Sequence, residues 1–354
     1  MESAAMYSQG SVMAEFDYWT FFVAEARRLN APLYARLSEG IGQDPELRAL
    51  AETARAGQPP ANMILAAVHF LLLRGAQHPL RNFYPNLADT AADGDPFPAF
   101  RDFVTQHHEP IARMIGTHVT NTNEVGRSAA LHAGFRALAA RAGEPLHLVE
   151  IGPSAGLNMI WDSYRVRYNR GGESFTPDAP ADALVIDTAL RGPNVPPLGP
   201  VPKVASRVGL ERNPVNLSDP DSRDWLRALV WPDHRARFDR LEKALAVYAH
   251  KTPEIRSGDA LELLPEALAE APADEALCVY HTIVTYQFPH DAREALDHLL
   301  IAAGVRRPVW RLSLEFAAEN YHPLRLTRYA DGVKTTEELA LCDPHVAWME
   351  WLVP

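Results

Sequence analysis

Between Leu146 and Asn158 the chain reads Leu-His-Leu-Val-Glu-Ile-Gly-Pro-Ser-Ala-Gly-Leu-Asn, and two chemistries fit that run. Taken as Glu-x-Gly-x-Ser-x-Gly, it is a buried strand that ends in a glycine loop. Glu150 then stands at the strand's carboxyl end, and Gly152 and Gly156 permit positive φ and close approach of a ligand. A helix starting near Ala155 would aim its free amides at a nucleotide. Taken as Gly-x-Ser-x-Gly, the same run is a nucleophile elbow with Ser154 as the attacking hydroxyl.

Residues further along weigh between the two. Glu211 follows Val208-Gly209-Leu210, and Asp259 precedes Ala260, each after a strand pattern. Carboxylates at such strand ends bind ribose hydroxyls and the adenine amino group. An elbow needs several strands before it and an oxyanion segment of the His-Gly-Gly type upstream. Residues 1–140 instead carry helical patterns, and no such segment occurs. Asp259 and His281 can be nominated as triad partners of Ser154, but a chain with 14 histidines always offers such candidates. The nucleotide reading leads and the serine hydrolase is kept as the alternative. Two departures stand against the lead. Ser154 replaces the middle glycine, and Glu150 and Glu211 lie 61 positions apart (211 − 150), where about 20 is usual. The extra length is assigned to an insertion at about 160–203, expected to fold over the site.

The elements that must position these groups change in kind at Leu146. Before it, apolar residues recur at three- and four-residue spacing, as in Phe16, Trp19, Phe22, Val23 and Ala26. Asn62–Arg74, Arg101–Thr117 and Asn123–Ala142 are further predicted helices, with Gly and Pro clustered between them. After Leu146, apolar runs at Leu146–Ile151, Ala205–Leu210 and Ala276–Thr285 predict strands, and Val309–Phe316 predicts another in which polar Arg311, Ser313 and Glu315 alternate against apolar residues. Trp225–His250 and Asp291–Ala303 predict helices, Glu254–Arg256 leads into Gly258-Asp259-Ala260, and residues 171–203 are irregular and rich in Pro and Gly. The remainder to Trp351 suggests a terminal hairpin. Alternating strands and helices imply an α/β fold with a mostly parallel sheet. The division expected is a helical domain over 1–140 and a Rossmann-like domain over 141–354.

The chain has 354 residues, 47% hydrophobic and 22% charged, enough for a sizeable core. A net charge of −11 without basic runs argues against nucleic acid as a partner. Cys278 and Cys342 form no Cys-x-x-Cys pair, which fits a reducing, cytoplasmic setting. The first residues lack the pattern of a signal peptide. Met63–Leu73 is too short to span a bilayer. His107-His108-Glu109 is a poor metal site, because adjacent helical histidines point apart, and no metal is expected.

Several of these motifs occur together in one family. Glu150-Ile-Gly-Pro-Ser-Ala-Gly-Leu-Asn158, Trp161-Asp-Ser-Tyr164, Arg207-Val-Gly-Leu-Glu-Arg-Asn-Pro214 and Trp225-Leu…Val230-Trp-Pro232 resemble the bacterial family of unknown function DUF2332. So do His78-Pro-Leu80, Thr122-Asn-Glu-Val-Gly-Arg127, Gly258-Asp-Ala260 and His281-Thr282. The likeness runs from about residue 60 to the C-terminus. Glu211 stands where that family more often has Asp. The resemblance implies a core similar to S-adenosylmethionine-dependent methyltransferases, and with it that cofactor and a small-molecule methyl acceptor. Glu150, Gly152, Ser154, Ala155 and Gly156 would then hold the methionine end. Glu211 would bind the ribose, and Asp259 and Ala260 the adenine. His281, beyond the fourth strand, is the candidate base, with Thr282 beside it facing substrate. Asn123 and Arg127 are substrate contacts or, alternatively, cap and interface residues. Tyr164 is a substrate contact on a strand whose Arg165 and Arg167 form a cationic wall or a solvated face. Trp225, Trp231, Trp348 and Trp351 are packing residues. A protein that binds a nucleotide-like ligand without turnover stays open beside the enzyme.

Overall fold

The computed structural model describes residues 17–90, 92–178, 183–317 and 321–354. Phe16, the first residue of the N-terminal apolar stripe, lies outside them. The chain divides into two compact units. One holds the residues up to Thr122 together with Val215–Asp239, and the other holds Asn123–Pro214 and Arg240–Pro354.

Helices start where the sequence supplies caps. Helix α1 (Tyr18–Arg28) is capped by Asp17, which accepts from the Trp19 amide, and Arg27 and Arg28 meet the negative end of its dipole. Helix α2 (Pro32–Gln43) opens on Pro32, and α3 (Pro45–Ala51) on Asp44 and Pro45. The nearly all-apolar α4 (Pro60–Leu73) is buried on almost every side. The predicted helix Arg101–Thr117 is in fact two, α5 (Phe97–Gln106) and α6 (His108–Thr117), parted at His107. Helix α7 (Ser128–Ala142) follows a short 3-10 turn, Val125–Arg127, and belongs to the second unit rather than with the helices before it. The predicted helix Trp225–His250 is also two, α8 (Pro220–Ala228) and α9 (Arg235–Tyr248). Pro232 lies in the gap and cannot donate to a continuing helix. In the first unit one apolar core joins α1–α6 and α8, with Trp225 inside it.

The second unit contains an 11-stranded sheet, in the order β3-β2-β4-β11-β10-β9-β8-β7-β1-β5-β6. The strands are β1 (Leu146–Ile151), β2 (Tyr164–Arg170), β3 (Glu173–Phe175), β4 (Leu184–Arg191), β5 (Val204–Glu211), β6 (Glu254–Ser257), β7 (Ala276–Thr282), β8 (Val309–Leu314), β9 (His322–Ala330), β10 (Val333–Cys342) and β11 (Trp348–Trp351). The run β6-β5-β1-β7-β8 is parallel throughout. The chain moves outward from β1 through β5 to β6, then returns to β1's other side with β7 and β8. The sheet's order therefore reverses beside β1, which makes this part doubly wound. Beyond β8 the strands β9 and β10 run on as a meander, joined by Asp331-Gly332 with both φ positive, a two-residue turn suited to a twisted hairpin.

The insertion departs from its expected form. It is not an irregular cover but three strands: β2, β3 and β4 extend the sheet beyond β11, with β4 parallel to β11. On one face of the parallel strands lie α10 (Ala260–Ala269) and α11 (His290–Gly304). Their Leu264, Leu268, Leu296 and Leu300 pack on Val149, Ile151, Val208 and Val279. Each such side chain contributes about 1.5–3 kcal/mol on burial. The buried α7 packs on the other face, against β8 and β9 and also against β2 and β4. Those pairs are not neighbours in the sheet, so it must curve around the helix. No helix among the described residues is long and apolar enough to cross a membrane.

Candidate functional site

In-register pairing builds the floor of the site. Glu150 of β1 stands opposite Tyr280 of β7, so both side chains project from the same face. The Tyr280 hydroxyl donates to Glu150 Oε2 at 2.8 Å. Glu150 is 1% exposed. That burial pushes its carboxyl up to about 8, with the nearby Glu211 charge adding to the rise and Tyr280 and Arg127 opposing it. At neutral pH Glu150 is therefore mostly a neutral acid.

After Ile151 the chain turns rather than entering a helix. Residues 152–160 are bends and turns, and the next helical piece is the 3-10 segment Trp161–Ser163. The helix expected near Ala155 is absent, because this loop must lead to β2 at the far side of the sheet. Gly152 and Gly156 have φ of 68° and 82°, and Ser154 one of 57°. A Cβ at Gly152 would lie 2.8 Å from Val284 Cγ, so the glycine admits both the turn and the close approach of the loop after β7. Pro153 folds back over β5, where Gly209 leaves room for it. Ser154, Ala155 and Asn158 are buried.

The loop is bound from several sides. Glu211, at the end of β5, accepts the Ser154 amide on Oε2 and the Asn213 amide on Oε1, both at 2.9 Å. Asn123 Oδ1 accepts the Leu157 amide at 2.9 Å. The Tyr164 hydroxyl donates to the Leu157 carbonyl at 2.8 Å, and that ring is fully buried. Tyr164 is thus a brace for the loop and not the substrate contact expected. Asn158 bridges Ser128 and the Glu124 carbonyl. Arg207 holds Asp162 through two bonds of 2.8 Å, a bidentate pair that pins the loop's exit to β5.

Arg127 donates to the carbonyls of Thr282 and Pro344, both at 3.0 Å. It joins the end of β7 to the turn before β11. Thr282 is buried and takes part through that carbonyl. Asp259 caps α10 through the Leu261 amide and pairs with Arg212 at 2.5 Å. Burial works to raise its carboxyl, but the amide and Arg212 outweigh this and keep it below the usual range. Ala260 is the first residue of that helix.

His281 is not placed as a base. Arg311 Nε donates to its Nε2 at 2.8 Å, and a guanidinium can only donate. The ring proton must therefore sit on Nδ1, which donates to Glu315 Oε1 at 2.5 Å. Burial, with Arg311 beside the ring, lowers its affinity for a second proton. Alternation along β7 explains the outcome: Tyr280 faces Glu150, while His281 faces the opposite way, toward Arg311 and Asp297 of α11.

The structure thus gathers Glu150, Gly152, Ser154, Gly156, Glu211, Asn123 and Arg127 around the ends of β1, β5 and β7. It adds Tyr280 and Glu315, which carried no motif of their own, and gives roles to Asn158 and Asn213, which stood in motifs without one. For the hydrolase alternative, the left-handed backbone of Ser154 directly after a central strand is a favourable feature. Its nominated partners are spent, His281 on Glu315 and Arg311, and Asp259 on Arg212. Among the described residues no group of three or more His, Cys, Asp or Glu side chains could hold a metal ion. No curated protein matches the chain. A family model described as uncharacterized protein conserved in bacteria (DUF2332) matches residues 19–351, and the chain belongs to that family.

Proposed function

We propose that this protein binds an adenosyl ligand of the S-adenosylmethionine type beyond the carboxyl ends of β1, β5 and β6, and transfers its methyl group to a small molecule. One observation carries the reading. The parallel run β6-β5-β1-β7-β8 reverses beside β1, and at that point the Gly152–Gly156 loop meets the Glu211 carboxylate, with Ser154 N and Glu211 Oε2 at 2.9 Å. Ligands of doubly wound sheets bind in the crevice at such a switch point.

The residues present fit an adenosyl group. Each oxygen of Glu211 accepts one amide, and a carboxylate oxygen has two acceptor sites. One site on each oxygen is left for the two ribose hydroxyls. Asn213 and the Ser154 amide hold the carboxylate in that attitude. Glu150, neutral at pH 7, can donate its proton to the ligand's polar end without placing a second full negative charge beside Glu211. When bound, the ligand supplies a methyl group already activated by its sulfonium. The chain's own work is then to orient and to exclude water, for which the buried loop with its braces Asn123, Tyr164 and Arg207–Asp162 is suited. Asp259 and Ala260 would border the adenine edge. No residue is assigned as base, since His281 is committed elsewhere.

Two features set this sheet apart from the methyltransferase type. No α-helix follows the glycine loop, which passes through the 3-10 turn Trp161–Ser163 into β2, and beyond β8 the sheet continues as the antiparallel strands β9 and β10. Binding without turnover would use the same residues. Titration of the purified protein with S-adenosylmethionine and S-adenosylhomocysteine tests the reading, with micromolar binding expected.

A further inference from the structure

The end of β8 carries a group for which the proposed adenosyl site has no use. Glu315 directly follows Leu314, the last residue of that strand. Its Oε1 accepts three bonds, from His281 Nδ1 at 2.5 Å and from the amides of Val284 and Thr285 at 2.9 and 3.1 Å. Its Oε2 is buried and has no partner among the described residues. A carboxylate oxygen left without a donor in such a place costs free energy that the fold has not recovered.

Nor does a neighbouring cation match the charge. His281 is neutral, as its bond from Arg311 requires. Arg311 itself is turned to His281 and to Asp297, and Asp297 is in turn held by Tyr329 and Lys334. Burial works to raise the Glu315 carboxyl, while the ring proton it receives from His281 and the two amides lower it, and the group stays below its usual range. A negative oxygen without a donor is thus held rigidly at the carboxyl end of the sheet.

Its position relative to the glycine loop is defined. Strands β8, β7 and β1 are parallel neighbours, so Glu315, the turn after Thr282 and Gly152 all lie at the same end. Val284, whose amide binds Glu315, also presents the methyl groups nearest to Gly152. Ile283, just before Val284, has a left-handed φ of 55° and gives its amide to the Leu314 carbonyl at 2.7 Å. The side chain as a whole is 13% exposed while Oε2 itself is covered, so an amine reaches that oxygen where its cover shifts.

We propose that Glu315 Oε2 is the recognition point for the nitrogen of an amine, which donates to it and balances its charge. The acceptor substrate is accordingly a small molecule bearing an ammonium group. This rests on the reading of this end of the sheet as the ligand site.

The test is thermal unfolding in an amine-free phosphate buffer. Propylamine, ethanolamine and benzylamine are titrated, each against the alcohol of the same shape: propanol, ethylene glycol and benzyl alcohol. At least one amine is expected to raise Tm in a dose-dependent way that its alcohol does not match. Glu315→Gln is expected to raise the half-saturating concentration of that amine at least tenfold. Glu315→Asp keeps the charge but withdraws it by one methylene, and is expected to weaken the amine several-fold should the Gln variant not fold. Amines that act no differently from their alcohols on the wild-type protein would overturn the proposal, as would a shift that survives in both variants. S-adenosylhomocysteine titrated in parallel separates the two ideas. Binding of it without any amine effect keeps the adenosyl site and removes this inference, and the reverse outcome removes the adenosyl reading and leaves the amine site standing.

Discussion

Replacing Glu150 by Gln should change how the protein's stability depends on pH, and the size of the effect follows from burial. The carboxyl rises from its usual 4.5 to about 8 in the folded protein, with burial as the largest cause. Between those two values the unfolded chain releases the proton while the folded chain keeps it. Stability is therefore greatest below pH 4.5 as far as this group is concerned, falls as pH rises toward 8, and is flat above. At about 1.4 kcal/mol per pH unit, the rise of 3.5 units (8 − 4.5) sets an upper bound of about 5 kcal/mol; relaxation around the charge will make the observed loss smaller. Gln preserves the shape and the acceptor for Tyr280 and carries no proton to lose. Urea unfolding of the second unit, followed at pH 5, 6.5 and 8 for both proteins, measures the difference. Glu150→Gln should be more stable than wild type at pH 8 by about 2 kcal/mol or more, with the advantage shrinking toward pH 5. Equal pH slopes for the two proteins would show that Glu150 ionises normally and that the buried acid is misread.

Two further substitutions test the packing around the loop and in the helical unit. Gly152→Ala combines a left-handed backbone with a Cβ 2.8 Å from Val284 Cγ and should cost about 2–4 kcal/mol. In a Val284→Ala background the cost should fall to about 1–2 kcal/mol, the part due to backbone alone, and a cost unchanged by that background in denaturant titrations would refute the contact. Tyr84 is fully buried, and its hydroxyl has no partner among the described residues. Tyr84→Phe should then be neutral or stabilising by up to about 1 kcal/mol, and a fall in stability of that size would reveal a partner.

Much of this is legible in the sequence. Apolar runs mark β1 and β7, which are buried along nearly their whole length, while β8 shows as apolar residues alternating with Arg311 and Ser313. The positions of Gly152 and Gly156 followed from the turn they make. The failures share a cause: partners distant in sequence decide them. Nothing local to Ala155 forbids a helix; the loop stays open because β2 lies at the other side of the sheet. His281 looked like a base until Arg311 and Glu315, 30 and 34 residues away, occupied both nitrogens. Glu315 was visible as one polar residue alternating along β8, but its three donors come from β7 and the turn beyond it. Tyr164 alternates with arginines as a surface strand would, yet α7 lies over that face and buries it. The apolar pattern runs across His107 and Pro232, so it does not mark the breaks between α5 and α6 or between α8 and α9.

The central claim is that Glu211 and the glycine loop form an adenosyl site, and calorimetry tests it most directly. Wild-type protein and Glu211→Ala, each checked for native circular dichroism, are titrated with S-adenosylhomocysteine. The account predicts micromolar binding to the wild type and at least a tenfold loss in the variant, since hydrogen bonds to a charged acceptor are worth about 1.5–3 kcal/mol. A wild-type protein that takes up neither S-adenosylhomocysteine nor S-adenosylmethionine, or a variant that binds as tightly as the wild type, would contradict it.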